Sequence, residues 1–340
     1  MARNIYGLDL GTYEIKIYDK KANDLYKVKC CVAIKDKKQM LAVGDEAYEM
    51  YEKAPANIEI AFPMKEGVIS RFNDMQYLLN NLLKSGFQFV RGADYVIAVP
   101  TDVTEVEKKA FYDLLVHSSA KAHHVRVIER GIADAVGLGI NVLAEKGIFV
   151  ANLGAETIEL SVISHGGIVL NKLVKKGANH LDIAIQSLIR YKYDFLIGSL
   201  TAATLRKNLG FFSNSTTMEM TVTGRNMLLG IPEQRQIGVD VVRSAMKETF
   251  QEFVREIRAM LDRTPPNIRS AINEQGIYLV GGLSNLKGLD IYLSEILGLP
   301  VHITYKPEQN ATIGISKVIS SKKMNKLTYS MLEGNYRWMR

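Results

Sequence analysis

The sequence has few of the features that secreted, metal-binding or membrane-spanning proteins need. Only two of its 340 residues are cysteines, and no apolar run approaches the ~20 residues of a membrane-spanning helix. The chain starts with Met1–Asn4 and leads directly into a predicted strand, without the apolar segment and cleavage site of a secretory signal. We therefore expect a cytoplasmic protein without a membrane span.

The two cysteines, Cys30 and Cys31, are adjacent in an apparent strand. Neighbouring side chains of a strand point to opposite faces, which makes a disulfide between them unfavourable. We expect both to be reduced residues that pack in the interior.

Histidine is also scarce, and the pair His123-His124 is most simply explained as a surface turn between a helix and a strand. Metal ligation by this pair is the minor alternative. No group of histidine, cysteine and carboxylate residues has the spacing of a zinc site.

The formal net charge of +7 permits an anionic partner. The sequence contains neither an arginine-rich arm nor the aromatic-rich strand signature of an RNA-binding domain, so we expect no specific nucleic-acid partner. An anionic membrane surface is the other partner that this charge allows.

At 340 residues the chain is longer than one compact core usually supports, which predicts two domains. Strands alternate with helices, and a new strand–turn–strand unit begins at Gly147, so the sequence indicates a loosely duplicated α/β structure. One predicted strand covers Lys27–Ile34, and a polar connection leads from it to a helix at Met75–Lys84. A further helix is predicted at 285–297.

Three glycine-bearing turns follow short apolar runs, at Gly7–Thr12, Asn152–Thr157 and Gly281–Ser284. Glycine at the end of a strand lets successive backbone N–H groups converge on one point, and phosphate oxygens are the usual occupants. Two hairpin turns followed by a Gly-Gly turn that opens a helix predict two similar half-molecules that close on a nucleotide.

Segments outside these turns resemble the MreB family of bacterial actin-like proteins, and the resemblance runs from Tyr6 to about Ile319. The segments that carry it are Pro63–Ile69, Val99–Ala110, Ile128–Gly137, Tyr193–Gly198, Thr223–Asn226, Thr264–Pro266 and Gly281–Asp290.

The resemblance implies an α/β, actin-like fold, which is a duplicated ribonuclease H-like fold with two domains around a nucleotide cleft. Each domain would have two subdomains. Domain I would comprise residues 1–145 and 317–340 with a small insertion at about 33–66. Domain II would comprise residues 146–316 with an insertion at about 182–242.

The resemblance also implies a cofactor and partners. The cleft would bind ATP with Mg²⁺, and the chain would polymerise with itself into paired protofilaments on the inner face of the cell membrane. Paralogous filament proteins would be further partners. The expected role is cell shape or motility, and the expected enzymatic activity is at most a slow ATPase.

The resemblance assigns site residues position by position. Glu129 resembles the glutamate that orients the attacking water, and Thr157 the threonine that assists it. Asp9 would hold Mg²⁺ through water, and Asn152 would do so weakly. The residues implied to contact the nucleotide are Asp9, Gly11, Thr12, Tyr13, Lys16, Gly154, Ala155, Glu156, Arg206, Gly281, Gly282 and Leu283. For Lys16, an exposed strand lysine is an equal alternative.

The second turn departs from the family pattern. Asn152 replaces an acid that helps hold magnesium, while Ala155 and Glu156 replace glycines. Like charges about 4 Å apart repel by about 4 kcal/mol at an effective dielectric constant of 20, so ATP binding should weaken unless Glu156 turns outward. In the first turn, Glu14 adds a second carboxylate. We therefore expect nucleotide binding with slow or absent hydrolysis.

Two segments have the composition of a membrane contact. Phe87 and Phe89 lie beside Arg91 in a loop, where aromatic rings can enter the acyl boundary. The alternative is a loop that packs on its own domain. The C-terminal tail is the second segment, and its alternative is a solvated tail. The candidate membrane residues of the tail are Lys322, Lys323, Lys326, Arg337, Trp338 and Arg340.

Two other functions use the same fold. A plasmid-segregation filament is compatible with the basic charge, although the family segments outside the cleft argue against it. A small-molecule kinase needs a substrate-base carboxylate and a second ligand pocket, and the sequence shows no motif for either.

Overall fold

The computed structural model describes residues 3–84, 92–119, 121–210, 212 and 217–331. The first half has this order of elements: β1 Ile5–Leu10, β2 Glu14–Asp19, β3 Asp24–Lys29, β4 Val32–Lys35, β5 Gln39–Val43, α1 Gly44–Glu49, β6 Ile58–Ala61, β7 Met64–Lys65, β8 Val68–Ile69, α2 Phe72–Lys84, β9 Asp94–Val99, α3 Glu105–Val116, β10 His124–Glu129 and α4 Arg130–Gly137.

The second half continues with β11 Ile148–Leu153, β12 Ile158–Ser164, β13 Gly167–Val174, α5 Ala178–Tyr193, β14 Phe195–Leu196, α6 Ser199–Leu209, β15 Glu219–Asn226, β16 Pro232–Gly238, α7 Val239–Arg263, α8 Pro266–Gln275, β17 Ile277–Val280, α9 Leu289–Leu297, β18 Val301–Ile303 and α10 Asn310–Ser320.

Two five-stranded sheets repeat one connectivity. The first has the order β3-β2-β1-β9-β10, and the second has the order β13-β12-β11-β17-β18. In each, the first three strands pair antiparallel and the last two join in parallel. The duplication predicted from the sequence is therefore present in the topology.

The two halves meet at the crossing of α4 and α10. A Cβ atom on Gly314 of α10 would lie 1.7 Å from the carbonyl oxygen of Ala133, and one on Gly137 of α4 would lie 2.2 Å from the carbonyl oxygen of Asn310. Only glycine permits such a close approach of two helix backbones. Beside this crossing, residues of both halves, among them Ala98, Val150 and Ile315, share one buried cluster.

Each half also carries a small three-stranded sheet, with the orders β5-β4-β6 and β14-β15-β16. The first sheet and α1 occupy much of the segment that the sequence suggested to be a polar connection, so that prediction is wrong. The strands β4 and β6 contribute few residues and alternate incompletely, which weakens their signal in the sequence.

The predicted strand Lys27–Ile34 is wrong as a single element. It divides at Cys30 and Cys31 into β3 and β4, which belong to different sheets. The N–H of Cys30 donates to the carbonyl of Tyr13, and the carbonyl of Cys31 accepts from the N–H of Gly44. These two backbone groups therefore bond outside the regular strand-to-strand hydrogen-bond pattern of either sheet. Both thiols are free and buried, as predicted.

Other predicted boundaries shift. The helix predicted at 285–297 begins four residues later, at Leu289, because a 3₁₀ turn, Gly282–Asn285, follows the Gly-Gly turn. The domain and subdomain boundaries stay predictions; the one at 316/317 falls inside α10. Among the described residues, no helix is long and apolar enough to span a membrane.

Candidate functional site

The two hairpin turns at equivalent ends of the two sheets are built in the same way. The N–H of Gly11 donates to the carbonyl of Glu14 at 3.1 Å, and the N–H of Gly154 donates to the carbonyl of Thr157 at 2.8 Å. A Cβ atom at these glycines would lie 2.7 Å and 2.8 Å from the same carbonyl oxygens. Close approach, rather than a positive φ angle, therefore requires glycine at both positions.

The third turn lies against the second. Gly281 has a φ of +86°, and a Cβ atom there would lie 2.5 Å from the carbonyl oxygen of Leu153. Its N–H donates to the carbonyl of Pro307 at 2.8 Å. Gly282 then opens the 3₁₀ turn, in which Leu283 is buried. A short 3₁₀ segment therefore follows the Gly-Gly turn, and the predicted helix, α9, begins only at Leu289.

Buried charges lie beside the first turn. Asp9, on β1, has Arg130 Nε 3.3 Å from Oδ1 and Lys16 Nζ 3.9 Å from Oδ2. Lys16 pairs in register with Asp9 across β1 and β2 and is only 8% exposed. The alternative that Lys16 is an exposed strand lysine is therefore wrong. Its ammonium group lies beside Asp9, next to the first turn.

Arg130 joins groups from both halves of the molecule. Its Nη2 donates to the carbonyl of Leu10 at 3.2 Å, and its Nη1 lies 3.5 Å from the carboxylate of Glu159, on β12. The other oxygen of Glu159 accepts from the N–H and the hydroxyl of Thr101, at 3.1 and 2.7 Å. The guanidinium is thus held between the strands that carry the two hairpin turns.

Asn152 is held by a buried carboxylate through its amide nitrogen. Its amide Nδ2 donates to Asp134 Oδ2 at 2.7 Å, and Asn310 Nδ2 donates to the same carboxylate at 3.2 Å. Asp134 is fully buried on α4, and burial raises its pKa to about 7. Asn152 therefore serves to satisfy a buried carboxylate.

Glu129 ends β10, directly before Arg130, and its Oε2 is buried without a hydrogen-bond partner among the described residues. Its carboxylate contacts Lys108 Nζ at 3.2 Å and accepts from the hydroxyl of Tyr329 at 2.8 Å. Burial raises its pKa. Because α4 begins at the next residue, the chain direction changes there, and Arg130 rather than Glu129 contacts Asp9. The catalytic role of Glu129 stays a prediction.

Glu156 turns outward from the second hairpin turn. Its Oε2 accepts from the backbone N–H of Glu66 at 2.6 Å, in the tip between β7 and β8. Thr157 lies beside the same tip, because a Cβ atom on Gly67 would be 3.4 Å from its Cγ2. The repulsion that Glu156 would exert on a phosphate is thereby reduced.

The other unusual residues of the turns are also accommodated. Ala155 does not have a positive φ angle, and its carbonyl accepts from the N–H of Asn179 at the start of α5, at 2.8 Å. Glu14 forms an ion pair with Lys29, whose Nζ lies 4.0 Å from the ring centroid of Tyr13. Thr12 and Tyr13 stay half-buried at the first turn.

Arg206 forms a buried ion pair with Asp182. Its Nε and Nη2 bond to the two oxygens of Asp182 at 2.7 and 3.2 Å. Both residues are buried, so the pair joins α5 to α6. Its predicted contact with a nucleotide stays a prediction.

The candidate membrane residues are only partly described. Phe87, Phe89, Arg337, Trp338 and Arg340 lie outside the described residues. Lys322, Lys323 and Lys326 are exposed. Directly after them the chain packs back on the fold, because Leu327 and Met331 are buried.

The histidine pair lies at the start of β10, at the predicted helix-to-strand connection. Ligand atoms of Asp94, His123 and His124 lie within 4.8 Å of one another. The guanidinium of Arg3 contacts the imidazole of His123 at 2.7 Å, and this cation opposes a metal ion at the same place.

The sequence prediction missed Arg130, Asp134 and Glu159 as site residues. Asp134 lies in a helix of small and apolar residues, and Glu159 lies in an otherwise buried strand. A charged residue among apolar neighbours in the sequence could have identified Asp134 and Glu159, because a buried charge without a partner is costly.

The chain is similar to known proteins over nearly its whole length. The MreB/Mbl protein family matches residues 3–327. Cell shape-determining protein Mbl of Bacillus cereus is 32% identical over 320 residues, 92% of this chain and 94% of that protein. Cell shape-determining protein MreB of Escherichia coli is 32% identical over 316 residues, 90% of each.

A solved structure agrees with the topology. The crystal structure of MreB5 of Spiroplasma citri bound to AMPPNP has a TM-score of 0.90 at 27% identity and covers 96% of this chain and 98% of that chain. The actin-like fold class predicted from the sequence is confirmed.

Proposed function

The chain belongs to the MreB/Mbl family, and on this premise we propose that it binds ATP between its two halves and polymerises into cytoskeletal filaments that govern cell shape. The observation that supports this most directly is the matched pair of hairpin turns, with the Gly281 turn against the second of them. The relative from Spiroplasma citri was solved with a nucleotide analogue bound.

Backbone amides of the two turns supply the phosphate contacts in this proposal. Gly11, Thr12 and Tyr13 act from one side, and Gly154 and Ala155 from the other, because successive N–H groups of such turns form anion-binding concavities. Gly281 and Gly282 border the nucleoside. Lys16 adds a cation beside the first turn.

Asp9 and Asn152 would hold a hydrated magnesium ion in this proposal. Asp9 Oδ1 and Oδ2 lie 3.3 and 3.9 Å from Arg130 and Lys16, and Asn152 bonds to Asp134 only through its Nδ2, so its Oδ1 is the atom that could face a water of the ion. No step of the proposed function passes through a metal ion.

Hydrolysis is slow in this proposal. Phosphoryl transfer depends mainly on positioning and electrostatics, and a carboxylate that orients water must reach it directly or through one water. Lys108 and Tyr329 hold Glu129 through Oε1, which leaves only its buried Oε2 for this task. Thr157 remains at the second turn. Among the described residues, its contacts include no carboxylate that could orient a water molecule.

Assembly and location complete the proposal. The chain associates with itself in paired protofilaments, and paralogous filament proteins are further partners. The filaments lie on the cytoplasmic face of the cell membrane. Exposed lysines at 322, 323 and 326 support attraction to anionic lipid, because each cation near such a surface contributes about 1 kcal/mol.

Phosphate release and sedimentation, measured in parallel with ATP, ADP and a non-hydrolysable analogue, test the proposal. We expect sedimentable filaments, visible by electron microscopy, with little phosphate release. Soluble protein under every condition would reject the filament and favour a kinase. Brisk release would reject slow hydrolysis.

A variant that combines Asn152→Asp with Glu156→Gly restores the residues usual in the family. Because neither change alters the bonds that hold Glu129 to Lys108 and Tyr329, we expect phosphate release to remain slow in this variant. Restored release would instead locate the defect in the second turn.

A further inference from the structure

A side chain of the first half caps a helix of the second half. The carboxylate of Glu52, in the connection between α1 and β6, accepts from the N–H of Ser199 at 2.6 Å and from the N–H of Leu200 at 3.3 Å. These are the first two N–H groups of α6, and Gly198 before them has no side chain to cap the helix. The first N–H groups of a helix lack partners within it, and a negative charge there is favourable. Glu52 therefore supplies a cap from a position 147 residues away.

Both sides of this contact are shaped for a close approach. A Cβ atom on Gly198 would lie 2.7 Å from Glu52 Oε2, so the carboxylate could not keep its place beside an alanine. Glu52 itself has a φ angle of +60°. A residue other than glycine adopts this left-handed region at a cost and keeps it where neighbouring contacts enforce it. The contact is thus built into the backbone at both positions.

The contact joins the two segments that carry the small sheets. The first segment leads to β4 from the first hairpin turn, where the N–H of Cys30 donates to the carbonyl of Tyr13. The second leads through α5 to β14 from the second hairpin turn, where the N–H of Ala178 donates to the carbonyl of Gly154. Each small sheet therefore extends from one of the two turns, and Glu52 connects the two segments beyond the turns.

We propose that Glu52 is a latch, which holds the two halves closed over the nucleotide and slows its release. This inference rests on the proposed function, since the nucleotide is the one bound between the hairpin turns. The crossing of α4 and α10 joins the halves through buried residues, so it cannot open without disrupting the core. The Glu52 latch consists of two hydrogen bonds at an exposed position, which can break and form again. The nucleotide leaves on the side of the latch.

Release of a fluorescent ADP analogue into excess ADP, followed by stopped flow, measures the latch. Glu52→Ala should accelerate release by about three- to tenfold, the range for one lost hydrogen bond at an exposed position. The bond between Glu156 and the N–H of Glu66 stays in place, so closure is weakened rather than abolished. Because the latch does not contact the nucleotide, association should accelerate too, and the dissociation constant should change less than either rate. An unchanged release rate would overturn the inference.

A second variant displaces the carboxylate without removing its charge. Gly198 has φ and ψ angles of −75° and 167°, which alanine adopts without strain. The added Cβ atom of Gly198→Ala would take the place of Glu52 Oε2, so release should accelerate as in Glu52→Ala. The double variant should release no faster than either single variant, because both changes remove the same bonds. Independent, multiplied accelerations would contradict the latch.

A matched control removes a nearby charge. Glu49 is exposed at the end of α1 and has no bond to the second half among the described residues, so Glu49→Ala should release the analogue as the wild type does. Equal acceleration in Glu49→Ala and Glu52→Ala would reduce the effect to net charge and overturn the inference.

Amide hydrogen exchange reports the latch without any nucleotide. The N–H groups of Ser199 and Leu200 should exchange faster in Glu52→Ala than in the wild type. Faster exchange with unchanged release would reject the latch and leave the proposed function intact. If the wild type does not bind the ADP analogue at all, the proposed function is refuted, and the latch with it as a control of nucleotide release.

Discussion

The carboxylate of Glu156 accepts a hydrogen bond from the backbone N–H of Glu66 at 2.6 Å, although 90 positions separate the two residues. The bond joins the second hairpin turn to the tip between β7 and β8. Two consequences follow: the turn carries no free carboxylate towards a phosphate, and the two halves of the molecule are held together at this point.

Glu156→Ala should weaken this connection. A hydrogen bond to a charged group contributes about 1.5–3 kcal/mol, so we expect a loss of stability at the lower end of that range at this half-buried position. The N–H of Glu66 should also exchange faster with deuterium. Glu156→Gln keeps an acceptor oxygen and is the matched control. Equal protection of Glu66 in wild type and Glu156→Ala would show that the bond is not formed in solution.

Stability should fall with rising pH because of Asp134. Burial raises the pKa of this carboxyl to about 7, whereas an unfolded aspartate has a pKa of about 3.9. The folded protein therefore binds the proton more tightly. This contribution is complete below pH 3.9 and is lost as the pH rises to about 7, by at most about 1.4 kcal/mol per unit.

Urea unfolding across this pH range measures the effect. Asp134→Asn cannot titrate at this position, so its stability should depend less steeply on pH than that of the wild type. Parallel profiles would show that Asp134 is not the group responsible.

The ion pair between Arg206 and Asp182 should be structural. Removing one partner of a buried pair costs about 3–5 kcal/mol, while an apolar replacement of both is often tolerated. We expect Arg206→Met to be strongly destabilised in urea unfolding. The double variant with Asp182→Leu should recover most of the loss.

Nucleotide affinity separates the two roles of Arg206. The folded double variant should bind ADP as the wild type does. A loss of affinity in that variant, at recovered stability, would instead support the contact predicted from the sequence.

Exposed lysines should contribute to membrane attachment. Replacing Lys322, Lys323 and Lys326 by glutamate should lower co-sedimentation with anionic vesicles, since each cation contributes about 1 kcal/mol. The matched control replaces the exposed lysines at 37, 38 and 53 in the same way, so that net charge is equal. Equal losses in both variants would indicate a general charge effect.

The same experiment should not use a truncation after Ser321. Leu327 and Met331 are buried, and Tyr329 pairs with Val127 on β10 and bonds to Glu129. Removing this segment would therefore expose core residues, and reduced sedimentation could not be assigned to a lost membrane contact.

The main strands and turns could be predicted from the sequence because their signal is local. Apolar runs that end in glycine identify β1, β11 and β17, and helical periodicity identifies α3 and α5. The first small sheet was missed because its strands have only four or five residues, and β15 and β16 were missed because they are polar and mostly exposed. The division at Cys30 and Cys31 was missed because two buried strands in succession look like one.

By itself, the sequence determined the duplicated α/β architecture and the three glycine turns, since hydrophobic periodicity and glycine both act within a few residues of the chain. Only the tertiary structure decided the chemistry around those turns. Which of the adjacent residues Glu129 and Arg130 contacts Asp9 depends on where α4 begins, and the outward direction of Glu156 depends on a backbone N–H from the other half. The physical reason is that a charged side chain takes its partner from the fold, and here that partner comes from a distant part of the chain.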